Sequence, residues 1–327
     1  MKQYLMSKIA NKIITQNLKM QANEDLLIVT EASKETIAES LAAAALAHGV
    51  EPMIMYMTPR DSDSAEPPHV VAEAMKAADA FLSVVEISIT HSDAVKQALA
   101  AGPRGLVLTQ LSEDMMYKGG MEADFEKLKP VCIAVSKALE EAKNIRVTTP
   151  FGTDLTFNTE GRRGNALYCI VEKGQFSTAP TVEANTTPIE GSAEGIIVAD
   201  ASFPYLGIGL LDEPIILKVE KGNVVSVEGG RQADILREDW ASKNDPGVYN
   251  IAELGIGLNP ACRFRGLMLE DEGVYGSCHI GIGTSANLGG ELRAASHYDA
   301  ILTKMTITCD GIDIMRDGVL TMEGVSL

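Results

Sequence analysis

Short apolar runs alternate with helical-period stretches through the first third of the chain. MKQYLMSKIANKIITQNLKM spaces its apolar residues at helical intervals among Lys, Asn and Gln, which predicts an amphipathic opening helix. DLLIVTEAS follows as a buried strand, and ETIAESLAAAALAHGV as a helix stopped at Gly49. PMIMYM, AFLSVVEI and GLVLTQL read as further strands, with HVVAEAMKAAD and DAVKQALAAG as the helices between them. That alternation implies a parallel sheet with crossover helices. A helical segment, MEADFEKLKPVCIAVSKALEEAK, bridges to what comes next. From about Asn144 the texture changes to strands joined by Gly, Asp and Asn turns, and KGN and RDG between apolar runs look like hairpins. REDWASKNDP is the one polar, helix-like break. The expected architecture is α/β: a parallel-sheet domain over residues 1–140, then a β-rich α+β domain over residues 141–327.

Composition narrows the function. A chain of 327 residues with 46% apolar residues can bury two cores, so disorder is excluded. A formal charge of −17 argues against nucleic acid and anionic membrane surfaces as partners. The five cysteines (132, 169, 262, 278 and 309) are odd in number and lack CxxC spacing, which fits free thiols in a reducing compartment. The opening helix lacks the apolar core of a signal peptide and no later stretch approaches a membrane span, so a cytoplasmic location is expected. The first strand-to-helix turn, TEASKET, has neither GxGxxG nor GxxxxGK[ST], so the first domain is read as a scaffold or substrate-gating domain rather than as a nucleotide site. His69 and His91 fall at element edges, where exposed or capping roles are expected.

The chemistry concentrates between Asn250 and Asp310. His297 and Asp299 are two apart in a strand-like run and so share a face. His279 lies in SCHIGIG and Glu253 in AELGIG, each within a short apolar run. A buried carboxylate in such a run needs a cation or a donor. Two imidazoles and carboxylates converging from adjacent strands are ligands of the kind that divalent metals take. Cys278, next to His279, points to the opposite face and is read as a packed thiol.

These residues resemble the thermophilic-type metallo-aminopeptidases. The likeness is carried by GTDLTF with Gly161-Arg162, APTVEANTTP with EGSAEG, AELGIG, CHIGIG, and SHYD, in that order, with SITHSDAVKQALAAGPRG in the first domain. It implies a metal set of Glu183, Glu253, Glu272, His279, His297 and Asp299 around two Zn, Co or Mn ions, a peptide substrate and a homodimer. Glu183, in a stretch read as polar loop, or Glu272 would act catalytically, relaying a proton from a metal-activated water. Glu272 lies seven residues before His279 rather than five, and Ala286 stands where that family has its catalytic tyrosine, leaving Tyr275 or Tyr298 as substitutes. The chain is also similar to a related ring-opening enzyme, 2,5-dihydroxypyridine dioxygenase, which implies one Fe(II) held by His279, His297 and one of Asp299 or Glu253. Glu253 and His279 resemble the peptidase set more closely. A metal-binding relative without catalysis is the third reading.

Overall fold

The computed structural model describes residues 3–62, 65–90, 92–286 and 288–327. The chain divides into two units, residues 1–125 with 167–180, and residues 126–166 with 181–327. A single break near residue 140 would put the Phe125–Glu141 helix in the first unit and the Phe176–Thr178 strand in the second. The division places both the other way round.

The first unit holds a five-stranded sheet. Its strands, in spatial order, are Glu51–Tyr56, Asp25–Thr30, Ala80–Val84, Arg104–Val107 and Phe176–Thr178. All four pairings are parallel, as the strand–helix alternation requires. Leu27, Val29 and Phe81 from the sheet pack with Val71, Met75 and Val95 from the helices. The helix Glu35–Ala47 is followed at Gly49 by a residue with φ +71°, a conformation that costs glycine little. His69 opens the His69–Ala77 helix and is exposed, pairing with Glu73 one turn on. His91 lies outside the described residues.

The second unit contains an eight-stranded and a seven-stranded sheet. The KGN and RDG turns close two hairpins, with Glu220 paired to Asn223 and Arg316 to Val319. Both central residues of each turn have positive φ (Lys221 48°, Gly222 77°; Asp317 49°, Gly318 77°), the turn geometry that matches strand twist. The REDWASK part of REDWASKNDP closes the Arg231–Lys243 helix, which buries Trp240, and the helix ends before Asn244. None of the five cysteines is in a disulfide and all are buried, Cys278 among them as a packed thiol. No described helix is long and apolar enough to cross a membrane.

Candidate metal centre

In the seven-stranded sheet, the strands Glu183–Thr186, Ile251–Gly257, Ser277–Gly283 and His297–Thr303 are consecutive neighbours. Their antiparallel register brings the candidate residues together. Glu253 is opposite Gly281, which is opposite Asp299, and Gly255 is opposite His279. On the outer side Glu183 pairs with Gly257 and Asn185 with Gly255. Because side chains alternate, Glu253, Gly255, His279, Gly281, His297 and Asp299 share one face.

The glycines on that face make room for the rings. A Cβ at Gly255 would lie 2.0 Å from His279 Nε2, and one at Gly281 would lie 2.7 Å from His297 Nε2. Neither glycine has positive φ, so each is needed for space rather than for a turn. A bulge between Ile251 and Glu253 interrupts the ladder where the site begins.

Two groups of ligand atoms result: Glu183, Glu253 and His279, and Glu253, His297 and Asp299, with Glu253 in both. His279 Nε2 is 3.6 Å from Glu183 Oε2 and 3.9 Å from Glu253 Oε1. His297 Nε2 is 3.1 Å from Glu253 Oε2 and 3.4 Å from Asp299 Oδ1. His297 Nδ1 meets the Thr284 carbonyl at 2.8 Å; as the N–H donor there, it leaves Nε2 to face the carboxylates. Glu183, read from its neighbours as a loop position, is instead the first residue of a buried strand. Asn185 donates to its Oε1 at 2.7 Å and itself accepts from Asn165.

Glu272 is buried but belongs to neither ligand group. It follows the short Met268–Asp271 helix, and the Tyr205 hydroxyl reaches its Oε1 at 3.3 Å and Asp299 Oδ2 at 2.5 Å. Its acidic neighbours Glu270 and Asp271 accept backbone amides of Arg263, Arg265 and Gly266. The hydroxyls of both expected tyrosine substitutes are engaged elsewhere. Tyr275 accepts the Leu320 amide and Tyr298 donates to Asp239. Tyr205 supplies the phenol instead.

The electrostatics are those of a crowded anionic pocket. Burial, with the nearby charge of Glu253, pushes Glu183 up to about 7. Burial, reinforced by Asp299, holds Glu272 well above the ordinary carboxylate range. Burial alone would lower His279, but the nearby negative charges of Glu253, Glu183 and Asp299 raise it to about 10. The same opposition, dominated on the raising side by Asp299, lifts His297. For Glu253 and Asp299 burial is likewise outweighed, by the two imidazoles, and both carboxylates are lowered.

A divalent cation fits this donor set. Four buried carboxylates face two imidazoles, so even doubly protonated histidines leave negative charge uncompensated when the acids are ionised. Asp299 Oδ1 and His279 Nδ1 are buried without hydrogen-bond partners. The oxygen and imidazole donors suit Fe, Mn, Co or Zn.

The sequence model of the 2,5-dihydroxypyridine 5,6-dioxygenase (NicX) family matches residues 9–322. The chain belongs to this family. The 2,5-dihydroxypyridine 5,6-dioxygenase of Pseudomonas putida is 28% identical over 274 residues, covering 80% of this chain and 77% of its own. A solved structure of that dioxygenase from the same species shares the fold with a TM-score of 0.85 over 98% of both chains, at 21% identity. Wild-type AmpT from Thermus thermophilus is more distant, with a TM-score of 0.71 over 98% of this chain and 99% of its own, at 18% identity. The aminopeptidase likeness is therefore one of fold, and family membership falls with the dioxygenases.

Proposed function

We propose that the chain is a metal-dependent dioxygenase that opens the ring of a dihydroxylated pyridine-type substrate. His279, His297 and one carboxylate of Asp299 or Glu253 would hold a ferrous ion. The observation that carries this reading is the family match across residues 9–322, joined to two imidazoles and two carboxylates presented by three adjacent strands. When bound, ferrous iron supplies the one-electron chemistry that lets triplet dioxygen react with a closed-shell aromatic ring.

The remaining work falls to the protein. Glu183, at about 7, is poised to accept the proton of a substrate hydroxyl near neutral pH. Asn185 fixes which oxygen it offers, by holding Oε1 at 2.7 Å. Tyr205 and Glu272 form a polar wall behind Asp299. The buried strand positions of Glu253, His279 and Asp299 keep the donors rigid and shielded from water.

A specific observation favours a second reading, a two-metal aminopeptidase-like hydrolase: Glu253 is common to both ligand groups, as a bridging carboxylate would be. The two are separated by metal analysis of protein purified without added metal, followed by activity assays. One iron per chain and oxygen uptake with 2,5-dihydroxypyridine are expected. Two Zn, Co or Mn ions with hydrolysis of a leucine anilide, and no oxygen uptake, would overturn the proposal in favour of the hydrolase.

A further inference from the structure

Tyr205 lies in the irregular segment that follows the two-residue strand Ser202–Phe203, and nothing in its local sequence marks it as part of a metal centre. Its ring is fixed by two aromatic neighbours. Phe203 stands edge-on at 6.2 Å and Tyr298 lies tilted at 5.0 Å. The ring's position brings the hydroxyl 2.5 Å from Asp299 Oδ2 and 3.3 Å from Glu272 Oε1. A phenol has one proton to give, and the shorter contact, to Asp299, is the one that takes it.

The other oxygen of Asp299 is in a different situation. Oδ1 is buried, accepts no hydrogen bond, and faces His297 Nε2 at 3.4 Å. The two oxygens of this carboxylate are thus distinguished by their surroundings, one engaged by a phenol and the other turned towards the ligand group.

We propose that Tyr205 is a positioning residue of the metal centre: by engaging Oδ2 it fixes the rotation of the Asp299 carboxylate so that Oδ1 alone is offered as a ligand. The inference rests on the metal-site reading above and extends it to a residue that contacts no ion. Outer partners of this kind change metal affinity by about 10–100-fold when removed. Without the hydroxyl, the carboxylate is free to rotate or to bind through both oxygens.

Cobalt(II) serves as the probe, because its visible absorption reports coordination number. Tyr205→Phe keeps the ring and its packing against Phe203 and Tyr298 and removes only the oxygen. The control, Tyr298→Phe, removes a hydroxyl that bonds Asp239 at 3.0 Å, away from the ligand groups. Affinity is read by competition with a chromophoric chelator, and coordination by the cobalt d–d bands. The expected result is about tenfold or greater weakening in Tyr205→Phe, with d–d bands of lower intensity, and both quantities unchanged within twofold in Tyr298→Phe. Wild-type affinity and wild-type bands in Tyr205→Phe overturn the positioning role and leave the metal site standing. Equal losses in the two variants also overturn it, by making the effect one of aromatic packing. If the wild-type protein binds no cobalt at all, the metal-site reading itself fails, and this inference with it.

Discussion

Replacing Gly255 by alanine should disable the metal centre while leaving the fold in place. The added methyl would lie 2.0 Å from His279 Nε2 and 2.2 Å from Cε1. To reach ordinary contact at 3.4 Å the ring must retreat by roughly 1.4 Å. Metal–ligand distances tolerate only about 0.2 Å, so a displacement of that size takes Nε2 out of the ligand set. His279 is 2% exposed, which leaves the ring no free volume on the solvent side. The backbone at Gly255 is not left-handed, so alanine adds no torsional strain, and the cost to folding is that of overpacking, about 1–3 kcal/mol. Gly257→Ala makes the contrast, because there the new methyl would meet the Val274 carbonyl oxygen at 2.3 Å, a backbone atom that cannot swing aside. Cobalt titration and urea unfolding of the metal-free proteins separate the two effects. Gly255→Ala should lose more than about 100-fold in affinity with a modest drop in midpoint, and Gly257→Ala should lose mainly stability. Cobalt binding by Gly255→Ala within threefold of wild type would refute the claim that this glycine is the seat of the His279 ring.

Three further outcomes are expected. Chelator-treated protein should melt at a lower temperature than metal-loaded protein and recover when ferrous ion or cobalt is added, by about 2.7 kcal/mol at a hundredfold excess over Kd; an unmoved melting curve counts against a site preformed in the native state. Glu190 would be raised by its burial, but backbone amides including that of Glu291, the Ser285 hydroxyl and the Arg162 charge pull it down to about 2 from an ordinary 4.5. Its folded-state value is depressed, so its contribution is complete above pH 4.5 and fades as pH falls towards 2; the stability deficit of Glu190→Gln should therefore be largest near neutrality and shrink at pH 3, and a deficit independent of pH contradicts the assignment. Asn185→Ala removes a donor that lowers the Glu183 carboxyl, so the acid limb of the pH–rate profile should move to higher pH, and an unshifted limb removes Glu183 from the role of base.

Much of this site was legible because strand periodicity is simple. The spacing of His297 and Asp299 was enough to put those two on one strand face, and the apolar runs marked Glu253 and His279 as buried strand positions; that all four share a sheet face follows from the register. The glycines that the rings lie against were visible too, at two residues beyond Glu253 and His279, but a glycine two residues after a polar strand position has meaning only when the cross-strand register is known. Glu183 was misplaced because EANT is polar by composition. Its burial comes from pairing with the Ile251–Gly257 strand, a contact about seventy residues away along the chain. Tyr205 could not be read at all, since an irregular loop has no period and its partner Asp299 lies 94 residues further on. The first domain's order followed from its alternation, whereas the return of Phe176–Thr178 to that sheet did not, three residues being too short to carry a pattern.

The segment after the Ser277–Gly283 strand ties the two flanks of the centre to one support. Its Thr284 carbonyl orients His297, its Leu288 carbonyl holds Asn165, and Asn165 reaches Glu183 through Asn185. Glu190 and Arg162 pin the same segment at Ser285, Glu291 and Gly289. An insertion or deletion there would slacken the proposed ligand His297 and the proposed base Glu183 in a single event, with no way to adjust one without the other. Divergence in substrate preference among relatives of this chain should accordingly be sparse in this segment and be concentrated in parts of the pocket that bear on one group at a time.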